Sequence, residues 1–210
     1  MTISLTLIIV LITVAASWYA WRDESVMSRW LFNPYRVQAR REYGRFVTSG
    51  LIHADIGHLA FNMITFYSFG NIVEQTFQYL FGPTTGLVYF LLLYVLGVIV
   101  SDLPTFFKHR ENPGYNSLGA SGGVSSVVFV GILFYPLQKL YLFFIPIGIP
   151  GFIFGGLYML YSFVESRRGR GYINHDAHLW GAIFGILFVV VLYPDVIPMF
   201  MRQLQTFALF

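Results

Sequence analysis

A serine set among glycines, a histidine at the start of an apolar run and a His–Asn pair are the residues of this sequence best suited to chemistry. Ser121 stands in Gly119-Ala120-Ser121-Gly122-Gly123. Glycine on both sides leaves room for another chain to reach the hydroxyl and permits backbone angles that other residues resist. Where such a serine opens a helix, free N–H groups and the positive end of the helix dipole point at it. That setting suits a developing oxyanion. The same run can equally serve close packing between membrane helices. His178 stands in Ala177-His178-Leu179-Trp180-Gly181, with Gly181 and Gly185 following on the same helical face. That small-residue stripe lets its helix approach a neighbour, so the histidine meets whatever tops that neighbour. The plainer alternative is an interfacial histidine in water. His58 and Asn62 lie one helical turn apart. They can offer an imidazole and an amide to one point, or simply tie two helices together.

These groups acquire meaning jointly. A serine hydroxyl needs a base to become a nucleophile, and a tetrahedral intermediate needs donors for its oxyanion. Ser121 is the expected nucleophile and His178 its base. The Ser121 main-chain N–H, the His58 ring and the Asn62 amide are the expected oxyanion donors. No carboxylate is evidently placed to orient His178, so the expectation is a dyad rather than a triad. His175 and Asp176, and Glu74 and Asp102 near predicted span ends, are read as solvated or snorkelling at the interface.

The elements that must position these residues are membrane helices. Of 210 residues, 56% are hydrophobic and only 11% charged, where soluble domains carry about 25% charged residues. Mean hydropathy is +0.64. Charged residues cluster between long uncharged stretches, the pattern of spans joined by polar loops. Six spans are predicted, at about 3–21, 57–78, 84–102, 119–137, 140–164 and 177–194. Each approaches the roughly 20 residues needed to cross about 30 Å of hydrocarbon. The first is read as a retained helix rather than a signal peptide, because no Lys or Arg precedes its long apolar run. The fifth is interrupted by Pro146 and Pro150, which makes it a candidate mobile gate or a kinked structural helix. Residues 195–210 read as an amphipathic surface helix or a frayed end. The expected fold is therefore an all-α integral membrane protein, one membrane domain over 1–210, in a lipid bilayer.

Loop lengths set the sidedness of the site. The first loop (22–56), the third (103–118) and the fifth (165–176) are long, and the second and fourth are short. Spans two, four and six then start on one face, the long-loop face, together with His58, Asn62, Ser121 and His178. There is no cysteine, which excludes disulfides, thiolate metal sites and a cysteine nucleophile. The net charge of +3 is spread over loops and gives no argument for nucleic acid.

Three motifs in this order resemble the rhomboid family of intramembrane serine proteases. They are His53-Ala-Asp-Ile-Gly-His58-Leu-Ala-Phe-Asn62, Gly119-Ala120-Ser121-Gly122, and Ala177-His178-Leu179-Trp180-Gly181 continuing to Gly185. Arg45, ahead of Phe46-Val47-Thr48-Ser49, is similar to the family's first-loop arginine motif. The resemblance covers about 30–195. It implies a six-transmembrane-helix bundle with a Ser121–His178 dyad and with His58 and Asn62 stabilising the oxyanion. Gly119, Gly122, Gly181, Gly185 and Arg45 are supporting residues. It further implies a water-filled cavity open to one side, no metal or cofactor, and single-span transmembrane protein substrates.

Three departures qualify it. Gly44-Arg45 stands where the family usually has Trp-Arg. Ser125 stands four residues after the serine, where some members place an aromatic that packs on the histidine. Eleven of the thirteen Lys and Arg lie on the long-loop side, which the positive-inside rule puts in the cytoplasm. The family usually opens its site away from the cytoplasm, and the expectation adopted is that orientation, in the cell membrane. The rival expectations are a catalytically inactive rhomboid-like protein that binds membrane clients, a metal enzyme using His53, His58, His175 and His178, and a small transporter. No His-Glu-x-x-His motif supports the second, and no inverted repeat supports the third.

Overall fold

The computed structural model describes residues 4–141, 147–168 and 173–207. Among these, eleven α-helices follow in order: α1 (Leu5–Arg22), α2 (Glu24–Trp30), α3 (Pro34–Arg40), α4 (Arg45–Thr48), α5 (Ile56–Phe81), α6 (Pro83–Ser101), α7 (Leu103–His109), α8 (Ser121–Phe134), α9 (Gly151–Arg168), α10 (His175–Leu192) and α11 (Val196–Gln205). A 3-10 turn, Ser49–Leu51, continues α4. Strands β1 (Lys139–Tyr141) and β2 (Gly148–Pro150) form a small antiparallel pair between α8 and α9.

Among the described residues, three helical segments are long and apolar enough to cross a membrane by length and composition: α1, the run Pro83–His109 that joins α6 to α7, and α10. Outward-facing Leu11 and Ile12 on α1, Leu157 and Leu160 on α9, and Leu187 and Val191 on α10 are exposed. So broad an apolar surface suits contact with lipid rather than water.

α8 is different. Its 14 residues span only about 21 Å at 1.5 Å each, less than the hydrocarbon thickness. Every residue from Gly122 to Phe134 is buried. It is a central post, with α10, α6 and α5 packed around it. Glycines permit the contact: a Cβ at Gly181 would collide with the Gly122 carbonyl, and one at Gly185 with the Ser126 carbonyl. The core beside it is built from Phe66, Val73 and Phe77 of α5, Phe90 and Leu93 of α6, Val127 and Val130 of α8, and Val189 of α10, all fully buried.

Several expectations are corrected. The predicted fifth span does not run from 140: a β-hairpin occupies its start, and α9 begins at Gly151. Pro150 ends β2 ahead of the helix, where its missing N–H costs no helical hydrogen bond. A kink at Pro150 is thereby removed, and Pro146 lies outside the described residues, as do Arg170 and the last three residues. Glu74 is not solvated but 3% exposed. Its carboxylate accepts from the N–H groups of Leu5 (3.0 Å) and Thr6 (2.8 Å) and from the Thr6 hydroxyl (2.6 Å). The unpaired amides and positive dipole end of α1 supply the partner that makes a buried carboxylate tolerable. The tail expected as either helix or frayed end forms α11, and Gln203 donates to the Phe134 carbonyl at the end of α8 (2.9 Å).

Candidate functional site

The first loop is a scaffold that holds the start of α8. Arg45 is 4% exposed. Its guanidinium pairs with Glu42 and donates to the carbonyls of Ser28 (3.1 Å) and Leu31 (2.6 Å) at the end of α2. The loop is thus anchored with Gly44 in place of an aromatic. The Arg45 guanidinium, then that of Arg36, holds the Glu42 carboxyl below the usual carboxylate range. Phe32 and Ser117 exchange both backbone hydrogen bonds (2.9 and 3.0 Å). Asn33 caps α3 with its oxygen, and its amide nitrogen donates to the carbonyls of Pro113 and Tyr115. The first loop is therefore stitched to the segment that leads into Ser121.

Two further bonds fix the turn before the serine. The Gly119 N–H donates to the Ser49 carbonyl (2.9 Å), and the Ala120 N–H donates to His53 Nε2 (3.4 Å). His53 Nδ1 then serves as the donor to the Ser17 hydroxyl (3.1 Å), which in turn donates to the Leu51 carbonyl (3.2 Å). Burial, followed by the neighbouring His58, pushes the His53 pKa down to about 3. The ring is neutral, as accepting from Ala120 requires.

Gly119 adopts φ 117°, a conformation reserved in practice for glycine. A Cβ there would sit 2.7 Å from His58 Cε1 and 2.9 Å from His58 Nε2. The His58 imidazole thus lies directly against the turn that opens α8. Ser121 is the first residue of that helix, and no side chain caps it. Asn62 is 3% exposed, and its amide nitrogen donates to the His58 carbonyl (3.0 Å). That bond uses one of its two N–H groups and leaves the other.

α10 brings His178 to the same level. Its backbone meets that of α8 at Gly181 and Gly122, and a Cβ at Gly122 would lie 3.4 Å from the Ala177 carbonyl. Asn174 caps α10 by accepting from the Ala177 N–H (3.1 Å). The same side chain accepts from the Thr105 hydroxyl (3.1 Å) and donates to Asp102 (3.4 Å). Lys108 pairs with Asp176 at 3.0 Å. Asp102 and His175, expected in solvent, are 9% and 8% exposed, because the α6–α7 junction folds over the start of α10. Asn174 did not stand out in the sequence, although an Asn before an apolar helical run is an N-cap signal.

The His178 ring stacks on Tyr158 of α9 (centroids 5.9 Å apart, 21° between planes) and meets His175 edge-on (5.7 Å). Among the described residues, no hydrogen bond joins the Ser121 hydroxyl to His178, and no carboxylate accepts from the His178 ring. The four central histidines divide into two edge-on pairs, His53–His58 and His175–His178. Among the described residues, no three His, Asp or Glu side chains are grouped to hold a metal ion.

Comparison with known proteins decides the family. A family model described as Rhomboid domain matches residues 40–195. The chain belongs to the rhomboid family. It is 28% identical over 177 residues to RHOMBOID-like protein 12, mitochondrial, of Arabidopsis thaliana, covering 80% of this chain and 52% of that protein. Against Rhomboid protease GluP of Bacillus subtilis (strain 168) it is 27% identical over 147 residues, covering 70% of this chain and 25% of that protein. Against Presenilin-associated rhomboid-like protein A, mitochondrial, of Danio rerio, the figures are 26% over 147 residues, 68% and 36%. This rhomboid chain therefore spans about half or less of the curated relatives it matches.

Proposed function

We propose that this rhomboid chain is an intramembrane serine endopeptidase that cuts single-span transmembrane proteins. The observation that carries the reading is the backbone contact between the starts of α8 and α10. There a Cβ at Gly122, the neighbour of Ser121, would lie 3.4 Å from the carbonyl of Ala177, the neighbour of His178, and the His58 ring lies against the Gly119 turn. Ser121 Oγ attacks the substrate carbonyl as His178 takes its proton, and His178 then protonates the departing amine. The oxyanion is met by the Ser121 N–H, the His58 ring and the remaining Asn62 N–H. The uncapped α8 dipole adds a positive potential. The name of the Bacillus subtilis relative, a rhomboid protease, supports the reading.

In this reading α1, α5, α6, α8, α9 and α10 are the six membrane helices. α5 has the length, 26 residues, but turns His58, Asn62 and Glu74 inward, which lowers its overall apolarity. The site opens on the face carrying α2, α3, α4 and α7. The membrane is a cell membrane with that face away from the cytoplasm. The mitochondrial relatives make an organellar membrane the alternative.

The test is cleavage of single-span peptides by purified protein in proteoliposomes. Ser121→Ala and His178→Ala should each lose about 10³-fold or more in kcat/KM. Cleavage that persists in Ser121→Ala overturns the assignment. Binding of the peptides without cleavage by folded wild type favours an inactive client-binding protein.

A further inference from the structure

We infer that Tyr158 of α9 is the positioning residue that holds the His178 imidazole toward Ser121, and that Ser125 holds Tyr158. The inference rests on the protease reading for its functional meaning, and on geometry for its structural part. The Tyr158 ring lies nearly parallel to the His178 ring, 21° between planes. A ring stacked on one face limits rotation of the imidazole about its last torsion, which is otherwise broad. The phenol hydroxyl is 3.0 Å from the Ser125 hydroxyl. Ser125 lies one turn after Ser121 on α8, so the nucleophile's own helix sets the position of the ring that backs the base. Phe129 and Phe154 flank Tyr158, with ring centroids 5.9 and 5.8 Å away.

This resolves the departure at position 125. A large side chain there would compete with Tyr158 for the space beside His178, and the small Ser125 leaves that space to an aromatic from another helix. The stacked face also acts in the reaction. When Ser121 gives up its proton the imidazole becomes a cation, and a cation over an aromatic face is favoured. Because Tyr158 stands on α9 and not on α8 or α10, a shift of α9 alone removes the support of the base.

Four variants separate this role from space-filling: Tyr158→Phe, Tyr158→Leu, Ser125→Ala, and Tyr158→Leu combined with Ser125→Tyr. In proteoliposomes with a fluorogenic single-span peptide, Tyr158→Leu should lower kcat roughly 10- to 100-fold with KM unchanged, the effect of a misplaced catalytic group. Tyr158→Phe and Ser125→Ala should each lose only about 2- to 10-fold, the worth of one hydrogen bond. The double variant should recover most of the kcat that Tyr158→Leu loses. The second measurement is the ring proton shift of His178 in histidine-labelled protein. The Tyr158 ring current should displace it in wild type and Tyr158→Phe but not in Tyr158→Leu. Unchanged kcat in Tyr158→Leu, or a loss confined to KM, overturns the positioning role. If wild type cleaves nothing, the protease reading fails, and the ring shift alone decides: the same shift in wild type and Tyr158→Leu overturns the contact.

Discussion

Gly119 is the residue on which the site's geometry turns most sharply. It carries φ 117° and faces His58 with no room for a Cβ. Gly119→Ala should destabilise the protein by about 1–2 kcal/mol from backbone strain alone and displace His58 as well. A thermal unfolding midpoint measured in detergent checks this, together with loss of serine labelling. His53 makes a pH prediction. Its folded pKa of about 3 lies below the ordinary 6.5, so the unfolded chain binds the proton more readily. Stability contributed by His53 is present above pH 6.5 and is lost as pH falls from there toward 3. The unfolding midpoint should drop over that window and drop less in His53→Gln. The glycines around Ser121 and the spacing of His58 and Asn62 were legible because helical periodicity projects residues four apart onto one point. The clamp from His53 to Ala120 was not legible, because it joins residues far apart in sequence through a loop with no periodicity.

At the scale of elements, the helices around α8 depend on backbone approach. Gly181→Ala should push α10 off α8, since the new Cβ meets the Gly122 carbonyl. Overpacking of this kind costs about 1–3 kcal/mol. A displacement near 1 Å at His178 should lower kcat by about 100-fold. A parallel measurement of melting and of peptide cleavage separates the two effects. Arg45→Met should loosen the first loop, because two carbonyls lose a charge-assisted donor worth about 1.5–3 kcal/mol each. Limited proteolysis within 24–48 reads that loosening. Four helices, α1, α5, α6 and α10, begin and end within a few residues of predicted spans, and among the described residues α1, the α6–α7 run and α10 are long and apolar enough to cross a membrane. The fourth predicted span was overextended, since apolar character continues past Phe134 while helix does not. The fifth was misplaced at its start because a β-hairpin of Leu140, Tyr141 and Ile149 is as apolar as a span. The buried acids, Glu74 and Asp102, were misread because their partners, the α1 amides and Asn174, are supplied by tertiary structure.

For the whole molecule, the distribution of basic residues and the family orientation point to opposite sides of the membrane. In the proposed six-helix arrangement, Lys139 falls on the face opposite the α7 loop, and eleven of the thirteen Lys and Arg fall on the α7 side. The absence of cysteine makes the question direct, because a single introduced thiol is the only one present. In intact cells, a membrane-impermeant maleimide should label Glu111→Cys and spare Lys139→Cys. The reverse pattern would place the site on the cytoplasmic side, as the positive-inside rule alone indicates.

The proposed pairing with His178 would make Ser121 an activated nucleophile. Purified, folded protein treated with a fluorescent fluorophosphonate reads this out, with wild type, Ser121→Ala and His178→Ala side by side. Wild type should label, Ser121→Ala should not, and His178→Ala should label little or not at all. Labelling that survives Ser121→Ala, or a folded wild type that does not react, would contradict that assignment.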